Sequence, residues 1–323
     1  DNLLSGGEGI VVIKTDLKDP NPALRDFVAL RVVEESHPRQ NTKYRLWPLY
    51  NYAVAVDDYH LGITHVLRGK DHLNNTLKQK WIYKYLGWDE PEYIHYGLVS
   101  IPNTNLKTSK IRESIKAGEF SGWDDCRLAT LKGLARRGYK SETFLKYWEN
   151  SGLKEVDIKF SWQNFDAMNK DFIDSESRRL FFVADPVEFT METADNLVKD
   201  APWHPDKPEL GKREEEIVTG SKIYLQKSDV DSFSSDRVIR LKNLCNVSVS
   251  DNKLNFSGMK PQKGSKILQW CSSNVPIELV YPDGKVVTGV VEDNITELDG
   301  ETVQFERVGF VRLEGKKAFF LHR

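Results

Sequence analysis

Residues 62–114 read GITHVLRGKDHLNNTLKQKWIYKYLGWDEPEYIHYGLVSIPNTNLKTSKIRES, and this stretch decides what fold the chain can form. ITHVL is short, apolar and β-branched, as buried strands tend to be. Leu73, Leu77, Trp81, Ile82 and Leu86 then recur at helical spacing, and Gly87 supplies a stop. YIHYGLVSI, residues 93–101, predicts another strand. Strand, helix, strand is the grammar of a parallel α/β sheet, whose ligands bind beyond the carboxyl ends of the strands. The loop NLKTSKIRES, residues 105–114, follows at that end. It gathers Lys107, Lys110 and Arg112 around the hydroxyls of Thr108 and Ser109, a composition suited to an anion.

Upstream, EGIVVIKTDL (8–17) predicts a strand and KDPNPALRDF (18–27) a turn with a short capped segment. AVAV (53–56) predicts a further buried strand, with Asp57-Asp58 as a turn between strands. From Ser121 the apolar residues recur at helical intervals, giving a helical segment over 121–184. After Asp185-Pro186 the pattern becomes short strands separated by turns: VEFTMETA, DRVIRLKNLCNVSVS, VPIELVYPDGKVVTGVVED, TVQFERVGFVRLEG and KKAFFLHR. Asp283-Gly284 and Asp299-Gly300 are expected hairpin turns. Strands so spaced favour β-barrels.

The bulk numbers fit several domains. The chain has 323 residues, 39% hydrophobic and 29% charged, with a mean hydropathy of −0.52. That is ordinary globular composition, and no apolar run approaches the roughly 20 residues that span a bilayer. The start, DNLLSGGEGI, lacks the features of a secretory signal, so the expected location is cytoplasmic. Cys126, Cys245 and Cys271 are far apart and form no CxxC pair; three semi-buried thiols are expected. The histidines show no metal-site spacing, and no metal site is expected. A net charge of −2 does not announce a nucleic-acid binder. Basic residues nevertheless cluster between Lys107 and Lys140, and such a face attracts phosphate.

LKTSKIR (106–112) resembles the second signature loop, usually written KMSKS, of class I aminoacyl-tRNA synthetases. Lys107-Thr108-Ser109-Lys110-Ile111 occupies it, with Thr for Met and Ile for the final Ser. GWDDCRLATLKGLARRGY (122–139) is similar to the GWDDPR…GLRRRGY stretch of glutamyl- and glutaminyl-tRNA synthetases. RRLFFVADPVEF (178–189) resembles their junction into anticodon-binding barrels, and VQFERVGFVRLE (303–314) their closing strands. GITHVLRGKDHLNNTLKQ is similar to the glutamyl enzymes. Glutaminyl relatives usually carry a small uncharged residue at the position of Arg68, and a His where this chain has Val54. A guanidinium suits the glutamate side-chain carboxylate through planar, charge-assisted donors. The β-rich C-terminal half suggests the archaeal/eukaryotic type.

The resemblance implies a multidomain protein: an α/β, partial Rossmann-like catalytic domain, a helical connector, and C-terminal all-β barrels that bind the anticodon. The expected boundaries are 1–45 for the end of an inserted acceptor-binding domain and 46–120 for the second half of the catalytic domain. They are 121–185 for a helical stem-contact domain and 186–323 for the barrels. It also implies ATP with Mg²⁺, glutamate and tRNA as partners, no membrane, and a monomer. Lys107, Ser109 and Lys110 are the implied catalytic residues, and Tyr50 and Arg68 the amino-acid contacts. Gly69, Lys107, Thr108, Ser109 and Lys110 would bind ATP, and Arg127, Arg136, Arg137, Arg240 and Lys242 would bind tRNA.

Each role has an ordinary alternative. Tyr50 fills core, Arg68 pairs with Asp71 or another carboxylate, and His65 and His72 are hydrogen-bonded core histidines. Trp123 and Trp148 suit helix packing, and the arginines after Ser121 suit surface salt bridges. The first class I signature, H-I-G-H, is missing, and GGEGIVVIKTDLKDPNPALRDF resembles the tail of the acceptor-binding insert. The expectation is a C-terminal fragment, inactive alone, of a glutamyl-tRNA synthetase. The alternatives are a glutaminyl-tRNA synthetase fragment, a non-catalytic tRNA-binding module, or a scaffold fragment without RNA affinity.

Overall fold

A computed structural model describes residues 6–7, 9–102, 104, 106–233 and 238–323. Parts of the stretches quoted above, residues 1–5, Glu8, Asn103, Asn105 and 236–237, lie outside the described residues. The chain divides into two compact units, Asp1–Pro102 with Ser151–Phe160, and Asn103–Asn150 with Ser161–Arg323.

In the first unit, β1 (Ile10–Ile13), β2 (Phe27–Val32) and β3 (Leu46–Pro48) form an antiparallel sheet. Asn21 caps the short turn Pro22–Leu24 by accepting the Ala23 N–H, as the sequence predicts. Helix α1 (Tyr50–His60) follows, so AVAV is helical and Asp57-Asp58 lies inside a helix. This corrects the expected strand and turn. A four-residue apolar run carries too little period to separate strand from helix, and tertiary packing decides. Ala55 turns inward against Phe27, Ile82 and Tyr83.

β4 (His65–Gly69) and β5 (Glu92–Tyr96) pair in parallel across α2 (Leu73–Leu86), which fulfils the strand–helix–strand expectation. Gly87 ends α2 at φ 67°, and Trp88 donates back to the Tyr83 carbonyl at 3.0 Å. β6 (Val99–Ser100) pairs in parallel with β7 (Ile158–Lys159). A Cβ on Gly97 would stand 2.1 Å from the Val156 carbonyl oxygen, so only glycine permits this approach.

In the second unit, α3 (Thr108–Lys116), α4 (Leu131–Arg137), α5 (Ser141–Ser151) and α6 (Trp162–Ile173) form the helical part. The expected helical span overran at its end. β8 (Arg179–Leu180) and β9 (Phe182–Ala184) already belong to a sheet. Asn169 on α6 ties the parts together. Its Oδ1 accepts the Lys140 N–H at 3.0 Å and the Thr143 hydroxyl at 2.8 Å, while its Nδ2 meets His322 Nε2 at 3.0 Å.

Two curled sheets follow. β10 (Pro186–Glu192), the ribbon β11 (Leu197–Pro202) and β12 (Lys212–Ile217), and β13 (Lys222–Gln226) come first. β14 (Val238–Leu241), β15 (Asn246–Ser250), β16 (Lys253–Phe256) and β17 (Lys266–Leu268) continue the chain. One sheet has the order β13-β10-β16-β15-β14-β17, and the chain just past β17 bridges back to β13 through Cys271 and Tyr224. β18 (Val275–Val280), β19 (Val286–Val291), β20 (Thr302–Phe305), β21 (Gly309–Glu314) and β22 (Lys317–His322) complete the other, ordered β8-β20-β21-β22-β18-β19-β9. Its two end strands are neighbours in sequence, so the sheet curls nearly shut. Asp283-Gly284 turns the β18–β19 hairpin as expected. Asp299-Gly300 does not turn a hairpin, because a 3-10 turn (Asp293–Leu298) precedes it and it leads directly into β20.

The segment 180–183 is a wall common to both cores. Leu180 and Phe182 point into one, Phe181 and Val183 into the other, and Val290 and Val291 divide in the same way. Buried charges lock this junction. Glu292 accepts the Phe181 N–H at 2.7 Å and Arg213 Nε at 2.9 Å, and bonds Lys199 Nζ. The Lys199 ammonium lies 4.9 Å from the Phe181 ring centre and 4.7 Å from that of Trp270. Burial pushes the Glu292 carboxyl up, but Lys199 and Arg213 outweigh it and hold the group below its usual range.

A second clamp fixes the segment before α4. Asp125, buried, accepts from the Ser121 and Arg127 backbone N–H groups, both at 3.0 Å. It also takes the Arg127 guanidinium at 2.9 and 2.7 Å. Arg127 above all holds this carboxyl well below the carboxylate range, against burial. All three cysteines are buried and unpaired as disulfides.

Replacing Glu292 with Ala leaves buried Arg213 without its carboxylate partner and Lys199 with only the more distant Glu215, at 3.6 Å. The expected loss is about 3–5 kcal/mol, read as a lower urea midpoint with an unchanged slope; an unaltered midpoint would contradict the role. Asp125→Asn is expected to cost about 1–3 kcal/mol at pH 7. A depressed folded-state pKa contributes stability above the unfolded value and loses it on acidification. The gap between wild type and Asp125→Asn therefore narrows as pH falls below about 4, measured by denaturation at a series of pH values.

Candidate functional site

Arg68 stands at the carboxyl end of β4, directly across the parallel pair from His95 on β5. It is only 8% exposed. Its Nη2 donates to Thr76 Oγ1 on α2, and its guanidinium carbon lies 5.0 Å from the Tyr93 ring centre. Its Nε is buried without a partner, and among the described residues no carboxylate forms an ion pair with Arg68. Asp71, the suggested structural partner, instead lies 3.8 Å from His72 Nε2. A buried guanidinium with an unfilled donor is costly to keep unless something else supplies the acceptor.

The surroundings are polar and under-satisfied. Asn51 Nδ2 on α1 donates to Asn75 Oδ1 at 3.2 Å, Gln79 Nε2 donates to Asn51 Oδ1 at 3.3 Å, and Asn75 Nδ2 meets His72 Nδ1 at 3.0 Å. Gln79 Oε1 and the Tyr83 and Tyr93 hydroxyls are buried without partners among the described residues. Burial pushes both tyrosine hydroxyls up. It also raises the Asp58 carboxyl, against the pull of Arg68. Tyr50 opens α1 with half its surface exposed and its ring 5.8 Å from His72, so it is not a core filler. Gly69, buried, follows Arg68 in extended conformation.

The core histidine was misassigned from sequence. His65 is exposed, 3.2 Å from Glu92, and His72 is only partly buried. His95 is the buried one, with Nε2 2.8 Å from Thr76 Oγ1. Thr76, His95 and Gln79 are functional-site candidates that sequence reasoning missed. Thr76 and Gln79 had one available signal, since polar residues at helical spacing on the inward face of α2 need partners.

Lys107–Lys110 belong to the second unit. They were expected in a loop, but Lys107 is the N-cap of α3, and Thr108, Ser109 and Lys110 form its first turn. All four are exposed, and Ile111, buried, anchors the turn. The first amides of a helix have no intrahelical acceptor and carry partial positive charge. Lysine and hydroxyl side chains beside such amides form an anion-binding arrangement.

The five basic residues considered for tRNA all have partners within the chain. Arg127 grips Asp125. Arg136 forms a two-pronged pair with Glu314 at 2.9 and 2.6 Å, and Arg137 donates to the carbonyls of Phe320 and Leu321 at 3.1 and 2.7 Å. Arg240 donates to Asn246 Oδ1 at 3.1 Å and to the Met259 carbonyl at 2.9 Å, and Lys242 pairs with Glu306. Among the described residues no group of three or more His, Cys, Asp or Glu is arranged to hold a metal ion, and no helix is long and apolar enough to cross a membrane.

Comparison with known proteins joins these observations. The family model for the catalytic domain of class I tRNA synthetases (E and Q) matches residues 2–175, and that for their anti-codon binding domain matches residues 177–264. The chain is 42% identical to a glutamate–tRNA ligase of Thermoplasma volcanium, over 100% of this chain and 59% of the relative. It is 45% identical to the Thermoplasma acidophilum glutamate–tRNA ligase, over 84% of this chain and 49% of the relative. A crystal structure of glutamate-tRNA synthetase from Elizabethkingia anophelis is similar over 41% of this chain and 32% of that chain, at 24% identity and a TM-score of 0.31. The chain thus spans three-fifths or less of the length of these curated relatives. With its parallel strand pair, its Lys-Thr-Ser-Lys helix start and its two curled β sheets, the chain belongs to the class I tRNA synthetases of the E and Q type.

Proposed function

We propose that this chain works as part of a glutamate–tRNA ligase, which joins glutamate to ATP as an adenylate and then passes the glutamyl group to tRNA. The observation that carries the choice of amino acid is Arg68, a buried guanidinium without a carboxylate partner among the described residues. A glutamate side-chain carboxylate supplies the missing acceptor and charge, with two parallel hydrogen bonds within reach of the guanidinium fork. Glutamine would bring one carbonyl oxygen and an NH₂ group facing donors, leaving the cation uncompensated. The relatives named glutamate–tRNA ligase support the same choice over the glutaminyl alternative. Tyr50, at the start of α1 and beside His72, is the second amino-acid contact in this reading.

In the chemical step the substrate α-carboxylate attacks the α-phosphate of ATP and pyrophosphate leaves. Negative charge spreads over phosphate oxygens, so the protein's task is to place donors and cations. Lys107, Thr108, Ser109 and Lys110 fill that role, the helix-start amides adding to the side chains, and Gly69 lines the nucleotide site. Mg²⁺ enters with ATP as part of the substrate. A ribose hydroxyl at the tRNA 3′ end then takes the glutamyl group. The curled sheets receive the anticodon with Arg240 and Lys242 nearby, and Arg127, Arg136 and Arg137 face the tRNA stem beyond their internal pairs. The protein acts as a cytoplasmic monomer.

Two measurements on the full-length polypeptide test this. Lys110→Ala is expected to slow glutamate-dependent pyrophosphate exchange by about 10²–10³-fold with a smaller change in glutamate KM; an unchanged exchange rate overturns the role. Arg68→Ala is expected to raise glutamate KM by about 10–100-fold, as loss of a charge-assisted pair would. Preferential activation of glutamine by the wild-type enzyme would overturn the substrate choice.

A further inference from the structure

Thr76 Oγ1 lies where three groups meet. Arg68 Nη2 donates to it, His95 Nε2 stands 2.8 Å away, and the His72 carbonyl is at 3.4 Å. A guanidinium only donates, so the Thr76 oxygen must accept from Arg68. The hydroxyl has a single proton of its own. Donation to His95 Nε2, the shorter of the two contacts, requires that imidazole to be neutral with its proton on Nδ1. Arg68, Thr76 and His95 are then a one-way chain of donors, guanidinium to hydroxyl to imidazole.

All three groups are buried, at 8%, 4% and 8% exposure. Burial, and then Arg68, hold the His95 imidazole below its usual range; nearby Glu155 opposes this and His72 reinforces it. Neutral His95 avoids a second cation beside the guanidinium. Because β4 and β5 pair in register, Arg68 and His95 are fixed opposite each other by backbone hydrogen bonds, and α2 inserts Thr76 between them. One guanidinium nitrogen is thereby committed, while Nε has no partner among the described residues.

We propose that Thr76 and His95 are positioning residues for Arg68: they fix the plane of its guanidinium so that the uncommitted edge meets the substrate side-chain carboxylate. The inference rests on the glutamate reading of Arg68. It adds that selectivity needs the hydroxyl–imidazole pair as well as the charge. A guanidinium free to swing would still attract an anion but would lose the geometry of a two-pronged bond.

The test is glutamate-dependent pyrophosphate exchange by the full-length enzyme. Thr76→Val keeps the branched shape and removes the hydroxyl. It is expected to raise glutamate KM about tenfold or more, with kcat and ATP KM changed less than about threefold, while Thr76→Ser stays near wild type. Wild-type glutamate KM should rise on acidification, as His95 gains a proton, and Thr76→Val should lose that dependence. Should Thr76→Val fail to fold, His95→Phe carries the same two expectations, because it removes the acceptor and keeps a ring. Equal effects on glutamate KM, ATP KM and kcat, or no effect from either variant, overturn the inference. Arg68→Ala in the same assay separates the two levels. If it leaves glutamate KM unchanged, the glutamate reading itself fails; if it raises KM while Thr76→Val and His95→Phe do not, only the positioning role fails.

Discussion

The two-residue alternation of a β-strand, applied at a wall that two cores have in common, is the constraint on which the C-terminal half depends. Successive side chains from Leu180 to Val183 must enter different cores, so neither sheet can shift by one residue without turning apolar groups out of both. Glu292 reinforces that register chemically. It holds the Phe181 backbone and two buried cations drawn from the β11–β12 ribbon. Such a cluster contributes little net stability compared with apolar packing, yet it tolerates only one arrangement. Under the tRNA-binding reading proposed above, uniqueness of arrangement matters more than a further increment of stability.

The first unit follows a different logic. Its polar groups are buried but incompletely satisfied, around a guanidinium that no carboxylate in the described residues neutralises. In a core built only for stability, Arg68 Nε, Gln79 Oε1 and two tyrosine hydroxyls would be anomalies. Under the reading proposed above, they are acceptor and donor positions for a small anionic substrate. The contrast is informative because both units bury charge. The Glu292 cluster balances its cations with carboxylates, whereas the Arg68 cluster does not.

The helix start at Lys107 shows how local chemistry and position combine. Lysines and hydroxyls were legible as anion-seeking residues, but the sequence suggested a loop. Folding Thr108–Lys110 into a first helical turn leaves backbone amides without intrahelical acceptors beside the same side chains. The basic residues after Ser121 show the reverse. Their charge invited a phosphate reading, yet Arg136 finds Glu314 and Arg137 finds the carbonyls of β22, far along the chain. They have structural duties whatever else they contact.

Local patterns alone determined the strand–helix–strand order around Arg68, the stop at Gly87 and the Asp283-Gly284 hairpin. Each is set by residues within about one or two turns of one another, so periodicity and turn chemistry suffice. The helix at 50–60 escaped notice because a short apolar run looks alike in both periods. Tertiary structure alone decided that His95, rather than His65 or His72, is the buried histidine, that Thr76 stands between it and Arg68, and that no carboxylate among the described residues forms an ion pair with Arg68. Burial and hydrogen-bond partnership depend on what distant segments bring to a side chain, and no local period records that.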